Sequence, residues 1–180
     1  MDINKAREMS TEGNYTHIKK MLNPNFMGEW SLPGGKDVAL TIKGFGEQEG
    51  WSKDKNKKVK LPVIIWAEEY DWAKPLKPNS TNIDTLISVT EEKAQERMIG
   101  KIVQIGIIEG VFFGKKQGAL RIRNVKSSKL AQDYDDFVKS IPTCKSREEI
   151  STLMNKYALF RPFSLDVQNQ IKAKWNLVSV

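Results

Sequence analysis

Apolar and polar residues alternate along the middle of the chain with the period of β-strands. Val38, Leu40 and Ile42 alternate with smaller or polar residues, which predicts a strand with one face buried. Gly44 and Gly46 follow directly, and glycine within a strand pattern is typical of a bulge or a sharp bend. We therefore expect the first strand to bend near these glycines.

Two further strands are predicted before the first long helix. The segment 59–68 alternates in the same way after the charged turn SKDKNKK, and Pro62 within it indicates an edge position or a bulge. A short third strand is predicted at 72–76. A helix follows, and its N-cap candidates are Asn79, Ser80 and Thr81.

The pattern then returns from helix to strand. A second short helix is predicted to begin with Thr90 as its cap and to end near Gly100. Strands are predicted at 101–109 and 119–124. Within the last strand the two apolar residues face one way and the two arginines the other; these are Leu120, Ile122, Arg121 and Arg123.

Three strands, a helix and two strands follow one another in the order of an OB-fold, a partly open five-stranded barrel. The sequence therefore predicts an α+β protein, in which a five-stranded OB-like β-barrel has a helix between strands 3 and 4. After residue 125 the period becomes helical, with helices predicted at 128–140, 146–158 and 164–176. The expected organisation is an N-terminal arm (1–35), the barrel (36–124) and a C-terminal helical region (125–180).

Charge and composition restrict the function. The formal net charge is +7, and a basic surplus favours a polyanion because each neutralised phosphate releases counterions. No apolar run reaches the ~20 residues that span a bilayer, and the N-terminus lacks the apolar run of a secretory signal. The single cysteine excludes an intrachain disulfide and fits a reducing compartment. We expect a protein of the cell interior, the cytoplasm.

Motifs for catalysis, metals and cofactors are lacking. His17 is the only histidine and Cys144 the only cysteine, and no CxxC or HExxH spacing supports a zinc site. A histidine-dependent triad could form only through His17, and no GxSxG motif accompanies it. Acidic clusters at 68–71, 91–92 and 133–136 are typical of solvated faces, although a two-metal nuclease would bring such carboxylates together. The sequence predicts a non-enzymatic protein with no cofactor, no metal and no catalytic residue.

Cations and aromatic rings are interleaved around the first and the last predicted hairpin. Single-strand binders combine a cationic groove with aromatic platforms on which bases stack. Trp66 has the parity of Lys60, which predicts an exposed ring unless a bulge at Pro62 reverses it, and Trp51 is either a platform or a core residue. The predicted nucleic-acid-binding residues are Lys43, Trp51, Lys53, Lys57, Lys58, Lys60, Trp66, Lys115, Lys116, Arg121 and Arg123.

Four segments carry a resemblance to a known group of proteins. They are VALTIKG at 38–44, LKPNSTN at 76–82, MIGKIVQI at 98–105 and FGKKQGALRIR at 113–123. In this pattern the chain resembles small bacteriophage and prophage proteins with an OB-like fold, similar to phage single-stranded-DNA-binding proteins. The resemblance implies single-stranded DNA binding in phage replication or recombination, and it implies no catalytic residue.

Two functions follow as expectations. The first is a phage-type protein that binds single-stranded DNA, or RNA, by electrostatics and base stacking. The second is a protein-interaction or virion-associated module that contacts a phage or host protein through its C-terminal helices. The apolar faces of these helices could also pack on the barrel or on each other.

Overall fold

The computed structural model of the protein describes residues 25–52, 56–67, 73–112, 115–161 and 163–178. Within these residues four antiparallel strands form one sheet, whose spatial order is β2–β1–β3–β4. The strands are β1 (Val38–Ser52), β2 (Lys57–Trp66), β3 (Ile102–Phe112) and β4 (Lys115–Ile122). The sheet is open, so β2 and β4 are its two edge strands.

The protein is α+β, but the predicted five-stranded OB-like barrel is wrong. Of the third strand predicted at 72–76, residue 72 lies outside the described residues, and only Leu76 pairs, through a single bridge to Ile64. Two backbone hydrogen bonds of 2.9 and 3.0 Å form that bridge. Pro75 and Pro78 lie close on either side, and proline offers no N–H to extend a ladder. The third strand is therefore too short to join the two edges.

A β-bulge divides β1 into two parts. Before it, residues 38–41 pair with β3; after it, the strand pairs with β2, and Lys43 is the extra residue between the pairs Ile42–Trp66 and Gly44–Ile65. The predicted bend near the glycines is thereby confirmed. Because one extra residue shifts the alternation of side chains, the core face of β1 changes from even-numbered residues such as Ile42 to odd-numbered ones such as Phe45.

Two helices connect β2 and β3, as expected. Asn79 caps α1 (Ser80–Thr90) by accepting a hydrogen bond of 2.9 Å from the backbone N–H of Asn82. The short helix α2 (Gln95–Met98) follows. Thr90 was expected to cap this second helix, but it ends α1 instead, with its hydroxyl donating to the Leu86 carbonyl at 2.7 Å. The cap prediction was wrong because a threonine in the last turn can satisfy its hydroxyl within the helix it ends.

The C-terminal helices are confirmed close to their predicted bounds. They are α3 (Ser127–Ser140), α4 (Arg147–Lys156) and α5 (Leu165–Leu177), and Ser146 and Ser164 cap the last two. Short 3₁₀ turns occur at Glu29–Ser31, Pro33–Gly35, Ile141–Thr143 and Ala158–Phe160.

Two separate hydrophobic cores lie on the two faces of the sheet. The first contains Leu40, Val103 and Ile105 of the sheet and Leu86 of α1. The second places the C-terminal helices against the opposite face, where Ala39 is buried in the same cluster as Phe137 and other apolar residues of these helices. The apolar faces that could have docked a partner are thus used largely for packing within the chain.

Asn82 joins α1 to the free edge of β4. Its side chain is 2% exposed, donates to the Leu120 carbonyl at 3.4 Å and accepts from the Ile122 N–H at 3.2 Å. These backbone groups point away from β3, to the side where a further strand would pair. The Asn82 amide therefore replaces the missing strand at this edge.

Replacing Asn82 by alanine is expected to lower the free energy of unfolding by about 2 kcal/mol, because two buried backbone groups of β4 lose their partners. Urea unfolding measures the change. The matched control is Thr81→Ala, an exposed position in the same helix, for which we expect little change. Equal effects of the two substitutions would show that Asn82 does not support the edge.

Candidate nucleic-acid interface

The predicted binding residues lie on two hairpins that extend in opposite directions. β1 begins beside Ile105 of β3 and runs toward the first hairpin tip, whereas β3 runs antiparallel past the start of β1 toward the second tip. The β1–β2 hairpin carries Lys43, Trp51, Trp66 and three lysines of β2, whereas Lys115, Lys116 and Arg121 lie in β4 and Arg123 directly follows it. The structure therefore does not bring the full predicted set onto one surface.

One face of the β1–β2 hairpin continues the face of the first core beyond the core itself. After the bulge, Phe45 lies opposite Ile64 at the base of the hairpin. Farther out on the same face, the cross-strand pairs are Glu47 with Pro62, Glu49 with Lys60, and Trp51 with Lys58. We call this surface the hairpin face.

Trp51 is the exposed aromatic residue of the hairpin face. It is 58% exposed and lies directly opposite Lys58, which is also exposed. An aromatic ring and a cation at adjacent cross-strand positions form the pair that a stacked base and its phosphate need. Of the two interpretations of Trp51, this exposure excludes a core residue, and the platform stays a prediction.

Trp66 is buried, and the expected exposure of its ring is wrong. It is 4% exposed, and its indole N–H donates to the Lys74 carbonyl at 3.1 Å. Its parity is indeed that of Lys60, because β2 has no bulge between them. The same face of β2 is exposed at Lys60 and covered at Trp66. The alternation of side chains therefore predicted correctly that the two residues share a face, but it does not show how far the core extends along that face.

Arg123 is held in a structural ion pair rather than presented to a ligand. Its guanidinium donates to both carboxylate oxygens of Asp37, at 2.7 and 2.9 Å, and to the Ile107 carbonyl at 3.0 Å. Gln104 donates to the same carboxylate at 2.8 Å. Gly106 makes room for the pair, since a Cβ at that position would overlap both Asp37 and Arg123. The hydrogen bond from Arg123 is the main cause that lowers the pKa of Asp37.

The other predicted residues divide by position. Lys43 is exposed at the bulge and Lys57 is exposed near the hairpin tip, whereas Lys53 lies outside the described residues. Lys115 and Lys116 lie at the start of β4. Arg121 is half-buried, donates to the Leu120 carbonyl at 2.9 Å and, like Arg123, lies on the sheet face opposite Leu120, as predicted.

A groove lies at the base of the hairpin face, and the sequence pattern did not predict it. It has a volume of about 410 Å³ and lies between the hairpin, α1 and the segment leading to α2. Its walls are largely apolar, with Phe45 and Pro62 from the hairpin and Ile83 and Met98 from the helices. Ile83 is 43% exposed, so the groove presents apolar surface to its surroundings. These residues come from segments far apart in the chain, and no local pattern indicates their proximity.

The polar side chains that line the groove are Glu47, Lys93 and Gln95. On the adjoining hairpin face, Lys60 approaches Glu47 at 3.9 Å, with both side chains mostly exposed. A solvated pair of this kind contributes little to stability. Glu47 and Pro62 line the groove, and each lies four residues from the Trp51–Lys58 pair along its own strand, which is about 13 Å at the usual rise of a β-strand.

Candidate metal ligands do not converge among the described residues. In that part of the chain no group of three or more histidine, cysteine, aspartate or glutamate residues is arranged to hold a metal ion. Over the same residues, no helix has both the length and the apolar character needed to cross a membrane.

Comparison with known proteins adds no relative. No protein family, curated protein or solved structure matches the chain. Function is therefore inferred from the residues and their geometry.

The Asp37–Arg123 pair makes stability depend on pH. Because Arg123 lowers the pKa of Asp37 in the folded protein, the pair contributes fully above the unfolded value of about 3.9 and is lost as pH falls through the lower folded value. We expect Asp37→Asn to cost about 1–2 kcal/mol at neutral pH, a difference that shrinks in acid. Urea unfolding of both proteins across this range tests it. A difference independent of pH would contradict the assignment, and the exposed control Asp84→Asn should show little effect.

Proposed function

We propose that the protein binds single-stranded nucleic acid without catalysis, through the outer part of the hairpin face. The observation that carries the proposal is the exposed ring of Trp51, with Lys58 opposite it and Lys60 two residues further along the same face. A base stacked on the ring would place its phosphates beside these cations. Neither lysine needs to leave a buried partner, since both are exposed.

The charge of the hairpin supports this proposal. Between residues 43 and 60 the sequence contains six lysines and three acidic residues. Among the described residues, Glu47 and Glu49 lie toward the base of the hairpin, whereas Lys57 and Lys58 pair with Ser52 and Trp51 at its outer end, so the positive surplus increases toward Trp51. An anionic strand would therefore approach the outer half of the hairpin first.

The proposed site is smaller than the one expected from the sequence. Trp66 is buried and Arg123 is paired with Asp37, so neither belongs to it. A single aromatic platform with a few lysines fits weak, sequence-tolerant contact with a short stretch of a flexible strand. Duplex DNA is a poor ligand for this surface, because stacked and paired bases cannot lie on a ring.

Replacing Trp51 by alanine is expected to weaken binding of a labelled oligo-dT about tenfold, because stacking on an aromatic ring contributes about 1–3 kcal/mol per base. Fluorescence anisotropy of the oligonucleotide at two salt concentrations measures the affinity. The fold should be unaffected, since the ring is exposed. Leu177→Ala, at a residue that is 80% exposed in α5, is the matched control and should leave the affinity unchanged.

The same titration identifies the phosphate contacts. Lys58→Gln combined with Lys60→Gln should reduce the slope of log K against log salt by about 1.4, or ~0.7 for each phosphate contact with a single strand. The exposed pair Lys139→Gln and Lys172→Gln serves as the control. No measurable binding at low salt, or an affinity indifferent to Trp51, would contradict the proposed function.

A second candidate is the protein-interaction module. The observation that favours this module is the apolar groove beside the β2 edge. The residues that line the groove do not include Trp51.

A further inference from the structure

The outer edge of β2 presents backbone groups that have no partner among the described residues. The N–H and C=O of Ile64 point outward, since both bond to Leu76 at 2.9 and 3.0 Å. Backbone groups alternate in direction along a strand, and the register of β2 is regular, so those of Lys58, Lys60 and Pro62 point outward as well. In the described part of the chain the open run therefore extends from Lys58 to Pro62.

Pro62 fits this edge position, as predicted from the sequence. Proline lacks an N–H, and at an outward-pointing position that donor would have had no partner in the sheet. The β4 edge is different, because Asn82 bonds to Leu120 and Ile122 there. The protein thus closes one edge with a buried side chain and leaves the other accessible.

Side chains of a strand added to β2 would lie on its two faces in turn. On the hairpin face they would neighbour Lys58, Lys60 and then Pro62, which lines the groove. On the other face they would neighbour Val59 and Leu61, both half-buried. Cross-strand neighbours of opposite charge or of shared apolar character stabilise a pair, whereas like charges oppose it.

The charges of this edge determine the kind of partner. Lys57, Lys58 and Lys60 are exposed along β2, so a second copy of the same strand would be repelled. A strand with acidic residues beside Lys58 and Lys60, and with apolar residues beside Val59, Leu61 and the groove, complements every position. Read antiparallel to β2, from Pro62 to Lys58, the complementary order is apolar, apolar, acidic, apolar, acidic.

We propose that an extended segment of another protein with this order of residues adds as an antiparallel strand to the outer edge of β2 and inserts its first apolar side chain into the groove. Main-chain hydrogen bonds to Lys58 and Lys60 supply part of the affinity, and the groove and the lysines supply the specificity. This partner is distinct from the nucleic acid proposed above, because it requires the backbone edge and the groove rather than the ring of Trp51.

The direct test is amide hydrogen exchange followed by NMR, with a capped peptide that contains leucine, leucine, glutamate, valine and glutamate in this order. The peptide should slow exchange of the Lys58 and Lys60 amides about tenfold or more, because these N–H groups gain partners. The amides of Val59 and Leu61 point toward β1 and are the internal control. Peptides with lysine for glutamate, or with N-methylated amides facing β2, should not bind.

Variants separate the edge from the groove. Lys60→Pro and Lys60→Gln both remove the charge of Lys60, but only the proline variant also removes the outward backbone N–H. The proline variant should therefore bind the peptide at least about tenfold more weakly than the glutamine variant. Ile83→Glu places a charge in the groove and should also abolish binding, whereas Ser88→Glu, exposed in the same helix, should not. Unchanged NMR spectra of the free variants show that each is folded.

Each outcome supports or overturns the proposal. Absence of binding at about 1 mM peptide, or protection that does not single out Lys58 and Lys60, overturns it. Oligo-dT uses only the charge of Lys60, so Lys60→Gln and Lys60→Pro should weaken its binding equally; if the proline variant weakened oligo-dT binding more but left the peptide affinity equal to that of the glutamine variant, the peptide proposal would fail. If the peptide binds and oligo-dT does not, the proposed function fails and the strand addition stands.

Discussion

An open β-sheet leaves two rows of backbone N–H and C=O groups, and the partners of these groups determine how the protein is arranged. At the β4 edge the amide of Asn82 donates to Leu120 and accepts from Ile122, which fixes α1 on the sheet. At the β2 edge the bridge from Ile64 to Leu76 is the last pairing before the strand continues to its exposed outer half. Within the described residues the two edges of one sheet therefore have opposite properties: the first is closed by a side chain, and the outer half of the second has no backbone partner.

The bulge at Lys43 determines which side chains this accessible half carries. By shifting the alternation of β1, it makes the core face at Ile42 continue through Phe45 to Trp51. The base of the hairpin packs on the first core and lines the groove, while the outer part extends beyond the helices. An apolar groove, a row of lysines and one exposed ring are consequently arranged along a single face. The position of the candidate sites is thus a result of strand geometry more than of any local motif.

Local signals predicted much of the fold. Alternation located most of the strands, the helical period located the C-terminal helices, Asn79 was correctly among the cap candidates of α1, and Pro62 indicated an edge position or a bulge. Each of these signals depends on neighbouring residues. The closing of the barrel depended instead on the length of one short strand, which two prolines reduce to Leu76. Burial of Trp66 depended on how far the core extends, and the pairing of Arg123 with Asp37 joins residues 86 positions apart. Neither leaves a periodic trace in the sequence, so the predicted cationic surface was larger than the one the structure retains.

The difference between the two edges is tested most directly by amide hydrogen exchange of the free protein in the absence of any ligand. We expect alternating protection along β2, with fast exchange at Lys58 and Lys60 and slow exchange at Val59 and Leu61, whose N–H groups face β1. On the opposite edge, Ile122 should exchange slowly, because its N–H donates to the Asn82 side chain. Uniform protection from Lys58 to Leu61, together with fast exchange at Ile122, would contradict the account.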